Sequence, residues 1–148
     1  MPLRLVLDTN VWLDWLVFDD PGIAPIRAAV ALGDADIFID AACEQELARV
    51  LTSALGKKTL DAASQAACLA ECRQLAQLAK TGERDCGRLP VCRDADDQKF
   101  LELARDCRAD FLVTKDLALL VLARRKIQRT PFRIVTPQQF ADALTVRS

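Results

Sequence analysis

The sequence contains no histidine and no tyrosine, and only 5% of its residues are aromatic. Histidine is the commonest general base in enzymes, a frequent zinc ligand and the side chain that titrates near neutral pH. Its absence excludes histidine-dependent catalysis. Any chemistry must therefore use carboxylates, lysine, serine, threonine, cysteine or a metal ion held by oxygen ligands.

The six cysteines do not form a recognisable metal-binding or redox motif. No two of them are separated by only two residues, and Cys68 and Cys72 lie one turn apart on an alanine-rich segment. Zinc sites and redox pairs normally show closely spaced thiols or nearby histidines. We therefore expect small, partly buried thiols in a reducing compartment.

The chain also lacks a strong net charge and a long apolar run. With 20 basic and 21 acidic residues the net charge is −1, which argues against bulk attraction to nucleic acid or membranes. A nucleic-acid enzyme of this composition needs a local basic patch, a partner or a bound divalent cation. No run is long enough for a membrane span, and Met1 to Arg4 leads directly into a strand-like segment. We expect a cytoplasmic protein that does not contact membranes.

What the sequence does contain is an alternation of short apolar runs and amphipathic segments, typical of a parallel sheet covered by helices. Strands are predicted at Leu3–Leu7, Ile37–Ile39, Phe111–Val113 and Arg133–Val135. Helices are predicted at Val11–Phe18, Pro25–Leu32, Ala42–Leu55, Leu60–Ala79, Asp94–Ala109, Leu117–Arg125 and Gln138–Leu144. The predicted fold class is α/β, a three-layer α/β/α sandwich with a mainly parallel central sheet. A single domain is expected over residues 1–148.

Carboxylates follow two of the predicted strands, at the edge where parallel sheets bind ligands. Asp8 comes directly after the first strand, and Asp116 comes shortly after the strand at Phe111. Glu46 lies early in a following helix, and a cluster of three acids begins with Asp94. Two such charges about 4 Å apart repel by roughly 4 kcal/mol at an effective dielectric of 20. A hard cation such as Mg²⁺ or Mn²⁺ would offset that repulsion, although helix capping and solvated surface positions would explain the same acids without a metal.

These segments resemble those of a known family. The matching stretches are Val6–Leu13, Glu46–Leu47, Asp94–Ala104, Leu112–Asp116 and Ile134–Phe140, in one order along nearly the whole chain. The sequence is similar to PIN domains, in particular to the VapC-like toxin ribonucleases of bacterial toxin–antitoxin pairs.

The resemblance implies a set of site residues. The metal-binding and catalytic acids would be Asp8, Glu46, Asp97 and Asp116, which would hold Mg²⁺ or Mn²⁺. Asn10 and Thr114 would be polar supports, and Asp94 would be an accessory acid. Asp97 is preferred to Asp96 because Phe100 and Ala104 follow it at the family's spacing. Glu46 is preferred to Glu44 because Leu47 follows it directly.

The resemblance also implies an activity and partners. The protein would be an endoribonuclease that cleaves single-stranded RNA and leaves 3′-hydroxyl and 5′-phosphate ends. It would form a homodimer and be silenced by an antitoxin protein. The expected RNA contacts are basic residues late in the chain, which could equally form a solvated surface: Lys115, Arg124, Arg125, Lys126, Arg129 and Arg133.

Three other classes of protein share parts of this pattern. A haloacid-dehalogenase-like phosphatase also has an aspartate after its first strand, but it needs a second acid two residues later, where this chain has Asn10. A receiver-like signalling domain needs paired acids that Met1 to Val6 do not supply. A catalytically inactive PIN-like module that binds RNA or regulates remains the principal alternative, although the presence of all four acids argues against it.

Overall fold

The computed structural model describes residues 2–79, 95–123 and 130–147, without the side chains of residues 95–97 and 147. Five strands lie within these ranges: β1 (Leu3–Leu7), β2 (Ala35–Ile39), β3 (Ala76–Leu78), β4 (Phe111–Val113) and β5 (Arg133–Val135). The helices are α1 (Thr9–Leu16), α2 (Ala24–Ala31), α3 (Ala41–Leu51), α4 (Ala62–Leu75), α5 (Ala95–Asp106), α6 (Leu117–Ala123) and α7 (Pro137–Arg147). A 3₁₀ turn over Pro21–Ile23 precedes α2.

The strands form one sheet in the order β3-β2-β1-β4-β5, and every neighbouring pair is parallel. The consecutive residues Leu5, Val6 and Leu7 of the central strand are all fully buried. Successive side chains of a strand point to opposite faces, so both faces of the sheet must be covered. This confirms the predicted α/β class, with a sheet that is entirely parallel.

Two groups of helices cover the sheet. In one group, α2 packs against α7, and these helices contact β2, β4 and β5. In the other, α5 packs against β1 and β4 and contacts α3, which in turn contacts α1 and α4. In the described part of the chain, no helix is both long and apolar enough to cross a membrane.

The predicted long helix over Leu60–Ala79 is wrong at its carboxyl end. The helix stops at Leu75, and Ala76 adopts extended backbone angles (φ −108°, ψ 145°) that begin β3. The peptide N–H of Ala79 donates to the carbonyl oxygen of Ile39 at 2.8 Å. The sequence Ala-Gln-Leu contains neither a β-branched nor an aromatic residue. It becomes a strand because the open edge of β2 supplies backbone partners, which local propensity does not reveal.

The helix predicted over Ala42–Leu55 also ends earlier, at Leu51. The hydroxyls of Thr52 and Ser53 each donate to a carbonyl oxygen three residues earlier, at 2.6 Å. Such local bonds compete with the continuation of a helix. The positive φ of Gly56 (62°) then turns the chain away from the helix direction.

The order of the strands creates a crevice at the carboxyl end of β1. The chain runs from β1 outward to β2 and β3 on one side, while β4 and β5 lie on the other side of β1. Ligands of parallel sheets bind at the point where the order reverses in this way. Leu7 is in register with Val113, so the residues that follow β1 and β4 must emerge side by side.

Candidate active site

Asp8 lies at this crevice as a buried carboxylate, with 3% of its surface exposed. It is the N-cap of α1, and its Oδ1 accepts a hydrogen bond from the backbone N–H of Thr9 at 2.6 Å. Its Oδ2 accepts a hydrogen bond from the Thr114 hydroxyl at 2.7 Å. Both carboxylate oxygens are therefore held, one by its own helix and one by the neighbouring strand end.

Thr114 connects two of the predicted acids. The fully buried Thr114 hydroxyl donates to Asp8 and accepts from the backbone N–H of Asp116 at 2.9 Å. Asp116 is half-buried, and its Oδ1 accepts from the backbone N–H of Ala118 at 2.8 Å, at the start of α6. One threonine hydroxyl thus links the strand end at β1 to the strand end at β4.

Glu46 is buried on α3 and has partners for both of its oxygens. Its Oε2 accepts a hydrogen bond from the Thr9 hydroxyl at 2.6 Å. Its Oε1 lies 2.8 Å from Nζ of Lys99 and 3.8 Å from the guanidinium of Arg49. The Glu46 carboxylate is thereby oriented by α1 and charge-balanced by a lysine from α5.

Sequence reasoning did not assign site roles to Thr9 or Lys99. The sequence position of each residue could have indicated a role in the site. Thr9 directly follows the strand-ending aspartate, and Lys99 is the one cation in the acidic start of α5, between Asp94 and Glu102. Without the fold, however, nothing indicated that both side chains reach the same carboxylate on α3.

The carboxylates at the crevice act on one another electrostatically. The pKa of Asp8 is raised above its ordinary value, mainly because burial removes water from the charged form. The negative charges of Asp116 and Glu46 raise it further, while the hydrogen bonds from Thr114 and Thr9 oppose the shift. Three of the four acids expected at the site therefore lie within electrostatic reach of one another.

The other predicted site residues are Asn10, Asp97 and Asp94, and the structure describes only Asn10 fully. Asn10 is exposed in the first turn of α1, whereas its neighbour Thr9 takes the buried position that contacts Glu46. The backbone of Asp97 lies in the first turn of α5, but its side chain is outside the described part of the structure. Asp94 also lies outside the described residues.

The expected RNA-binding residues are only partly described. Arg124, Arg125, Lys126 and Arg129 lie outside the described ranges. Lys115 is exposed and forms an ion pair with Asp14, with 2.5 Å between Nζ and Oδ2. Arg133 begins β5, so it lies at the amino edge of the sheet, opposite the acids. Its guanidinium lies over the ring of Phe111.

The described cysteines fit the expectation of isolated thiols. Cys43, Cys68, Cys72 and Cys107 are all buried and unpaired. Burial raises the pKa of Cys72 to about 12 and that of Cys107 to about 11. Since the thiolate is the reactive form, these groups are poor nucleophiles and poor metal ligands at neutral pH.

The donor chemistry at the crevice suits a hard divalent cation. Among the side chains that the structure describes, no group of three cysteines or acids is close enough to hold a metal ion. Asp8, Glu46 and Asp116 nevertheless supply carboxylate oxygens, the ligands preferred by Mg²⁺ and Mn²⁺. The negative charges of Asp116 and Glu46 both act on Asp8, so several carboxylates lie close together at this edge of the sheet. A cation site formed by these three acids would need a further ligand.

A family comparison covers the same residues. A family model described as PIN domain matches residues 4–118, more than half of the chain, and this range contains Asp8, Glu46, Asp97 and Asp116. No curated protein matches the chain significantly.

The Thr114 hydroxyl should stabilise the fold through its bond to the buried Asp8. We expect Thr114→Val to lower the free energy of unfolding by roughly 1.5–3 kcal/mol, the range for hydrogen bonds to charged groups. Thr114→Ser keeps the hydroxyl and should lose much less. Urea denaturation of the three proteins measures the difference. Equal losses for valine and serine would mean that packing of the methyl group, not the hydroxyl, stabilises the site.

Asp8→Asn should make the metal-free protein at least as stable as the wild type at neutral pH. An acid with a raised folded pKa contributes stability at low pH that is lost as pH rises from its unfolded value, near 3.8, through its folded pKa. Asparagine can still cap α1 and carries no charge, so this loss should be absent in the variant.

Thermal melts of chelator-treated wild type and Asp8→Asn from pH 4 to 8 measure this effect. Asp34→Asn, which changes an exposed carboxylate at the opposite edge of the sheet, is the matched control. If metal-free Asp8→Asn melts well below the wild type at pH 7, the charged carboxylate stabilises the fold and the repulsion argument is wrong.

Proposed function

The chain belongs to the PIN-domain family, and on that premise we propose that it is a metal-dependent endoribonuclease that cleaves single-stranded RNA. PIN domains are generally nucleases and typically use divalent metals. The observation that carries the proposal is the buried Asp8 carboxylate, which shares the sheet crevice with Glu46 and Asp116 and has a raised pKa. We propose one nuclease domain over residues 1–148.

The cation-binding residues in this proposal are Asp8, Glu46, Asp97 and Asp116, with Mg²⁺ or Mn²⁺ as the ion. A bound cation would polarise the phosphodiester and make an attacking water more acidic, which removes the need for a histidine. The products would carry 3′-hydroxyl and 5′-phosphate ends.

Hydrogen bonds fix the orientation of two of these carboxylates. Thr114 fixes one oxygen of Asp8, and Thr9 fixes one oxygen of Glu46. Partners that orient acidic ligands in this way typically change metal affinity or activity 10- to 100-fold when removed. Half-buried Asp116 uses Oδ1 to cap α6, so we assign Oδ2 to the orientation of water or of the cation.

Lys99 acts on the same site as a positioning residue. Its ammonium group lies 2.8 Å from Oε1 of the buried Glu46. A buried carboxylate without a nearby positive charge is costly. We propose that Lys99 balances the charge of Glu46 and fixes the orientation of its carboxylate.

We assign substrate contact to Lys115 and to the basic residues that follow it in the sequence. Lys115 stands between Thr114 and Asp116, and the basic residues Arg124, Arg125, Lys126 and Arg129 follow α6 in the sequence. Lysine and arginine contacts to phosphates supply most sequence-independent affinity for nucleic acids. In an otherwise slightly acidic chain, this cluster is the best candidate for the RNA path.

The biological role proposed is that of the toxin in a toxin–antitoxin pair, as a homodimer in the cytoplasm silenced by an antitoxin protein. Its support is the sequence resemblance described above. A small upstream reading frame with a DNA-binding N-terminal region would support this role. The principal alternative is a PIN-like module that binds RNA without cleaving it. Membership of the PIN family argues against a haloacid-dehalogenase-like phosphatase.

RNA cleavage should depend on a divalent cation. We expect the purified protein to cut single-stranded RNA with Mg²⁺ or Mn²⁺ and to stop when chelator is added. Mn²⁺ at about one hundred times its dissociation constant should stabilise the wild type by roughly 2.7 kcal/mol and Asp8→Asn by much less. Cleavage assays and thermal melts measure both effects. Strong cleavage in chelator would exclude the metal mechanism, and metal binding without cleavage of any RNA would favour the inactive module.

Asp97→Asn should reduce cleavage far more than Asp96→Asn, with Asp94→Asn between them. Asp97 is three residues before Phe100, which is buried on the inner face of α5. Asp97 is also seven residues before the buried Ala104, and the family resemblance gives this spacing to the site acid rather than to Asp96. Initial rates of the three variants at saturating Mn²⁺ test this register. Equal losses at positions 96 and 97 would show that the register is wrong.

A further inference from the structure

A cavity of about 430 Å³ opens next to the acidic site. Its walls come from α1, the 3₁₀ turn at Pro21–Ile23, the connection from β4 to α6, and the start of α7. Lys115 lines it, and the residues on either side of Lys115 are the site residues Thr114 and Asp116. The volume is within the range of ligand-binding pockets, about 300–1,000 Å³.

The polar part of the cavity wall contains an ion pair, and Asp20, Thr136 and Gln138 add further polar groups. Oδ2 of Asp14 lies 2.5 Å from Nζ of Lys115. The Asp14 side chain is 11% exposed, while that of Lys115 is 45% exposed. The cavity therefore presents a hydrogen-bond acceptor and a hydrogen-bond donor side by side, with the acceptor buried on α1 and the donor exposed.

The apolar part of the wall is rigid. Pro21, Pro25 and Pro137 line the cavity. Proline rings have almost no conformational freedom, so contact with them costs little side-chain entropy. Flat apolar ligands with one polar edge fit a wall of this kind, because such pockets combine apolar surface with a few placed polar groups.

We propose that this cavity binds a nucleobase of the RNA strand, next to the phosphodiester that is cut, and that the base is guanine. The inference rests on the proposed ribonuclease function. Single-stranded RNA leaves the base-pairing edge free for recognition by side chains. Guanine presents the O6 acceptor beside the N1–H and N2–H donors. Lys115 would donate to O6, and the Asp14 carboxylate would accept from N1–H and N2–H.

The other bases match this pair less well. Adenine and cytosine each offer one amino group beside a ring nitrogen acceptor, and uracil offers a single N–H between two carbonyl oxygens. Among the four bases only guanine directs two adjacent donors toward one carboxylate while it offers an acceptor to the lysine. A good bidentate contact of this type discriminates between bases by about 1–3 kcal/mol, or roughly 5- to 150-fold.

The test is a comparison of guanine with inosine, which keeps O6 and N1–H but lacks the N2 amino group. The probes are two fluorescently labelled single-stranded hexanucleotides, five uridines with either one guanosine or one inosine. Equilibrium binding is measured in chelator, so that no cleavage takes place. We expect the wild type to bind the guanosine probe about tenfold more tightly than the inosine probe.

Three variants locate the contact. Asp14→Asn should bind both probes with similar affinity, because it can no longer accept from both donors. Lys115→Met should weaken both probes alike, because O6 is present in each. Asp34→Asn, at the opposite edge of the sheet, should behave like the wild type. Thermal melts check that Asp14→Asn is folded, and Lys115→Met changes an exposed side chain whose loss the fold should tolerate.

Each result decides between the two proposals. No difference between the probes in the wild type, or a full guanosine preference in Asp14→Asn, would overturn the base pocket. Cleavage of random single-stranded RNA with Mn²⁺ should then show guanine at one fixed position within two nucleotides of the cut, and its absence would also overturn the pocket. Guanosine-selective binding without cleavage would leave the pocket intact and overturn the ribonuclease proposal.

Discussion

The buried carboxylate of Asp8 at the end of the central strand is the constraint around which the rest of the site is arranged. The register of β1 with β4 places the Thr114 hydroxyl 2.7 Å from Oδ2, and the start of α1 places a backbone N–H 2.6 Å from Oδ1. These bonds compensate only part of the loss of water, since the pKa of Asp8 remains raised. A cluster that is destabilised when charged is well suited to gain free energy from a cation.

Nearby lysines balance the negative charge of the carboxylates around this cluster. Glu46 contacts the Lys99 ammonium group, and Lys115 contacts Asp14 next to the site. Because these pairs involve buried or half-buried carboxylates, they are screened less by salt than surface ion pairs are. The fold can therefore hold several acids at one edge of the sheet without a large net charge on the chain as a whole.

The turn after β4 contributes residues both to the acidic site and to the neighbouring cavity. Thr114 donates a hydrogen bond to Asp8, the charge of Asp116 acts on Asp8, and Lys115 between them lines the neighbouring cavity. If the cavity binds a base of the substrate, one three-residue segment would connect the choice of base to the position of the phosphodiester. Such a short connection would make specificity sensitive to small changes in the β4–α6 turn.

The sequence by itself determined the fold class, four of the five strands and the acids that follow them, because burial in a parallel sheet produces continuous apolar runs that end in polar residues. It did not reveal β3, whose Ala-Gln-Leu segment is a strand only because β2 offers it partners. It also did not reveal that Thr9 and Lys99 share Glu46, or that Asp14 pairs with Lys115. These contacts join residues 37 to 101 positions apart, and local patterns carry no information about such distances. Only the packing of α1, α3 and α5 around the parallel sheet decides which side chains meet.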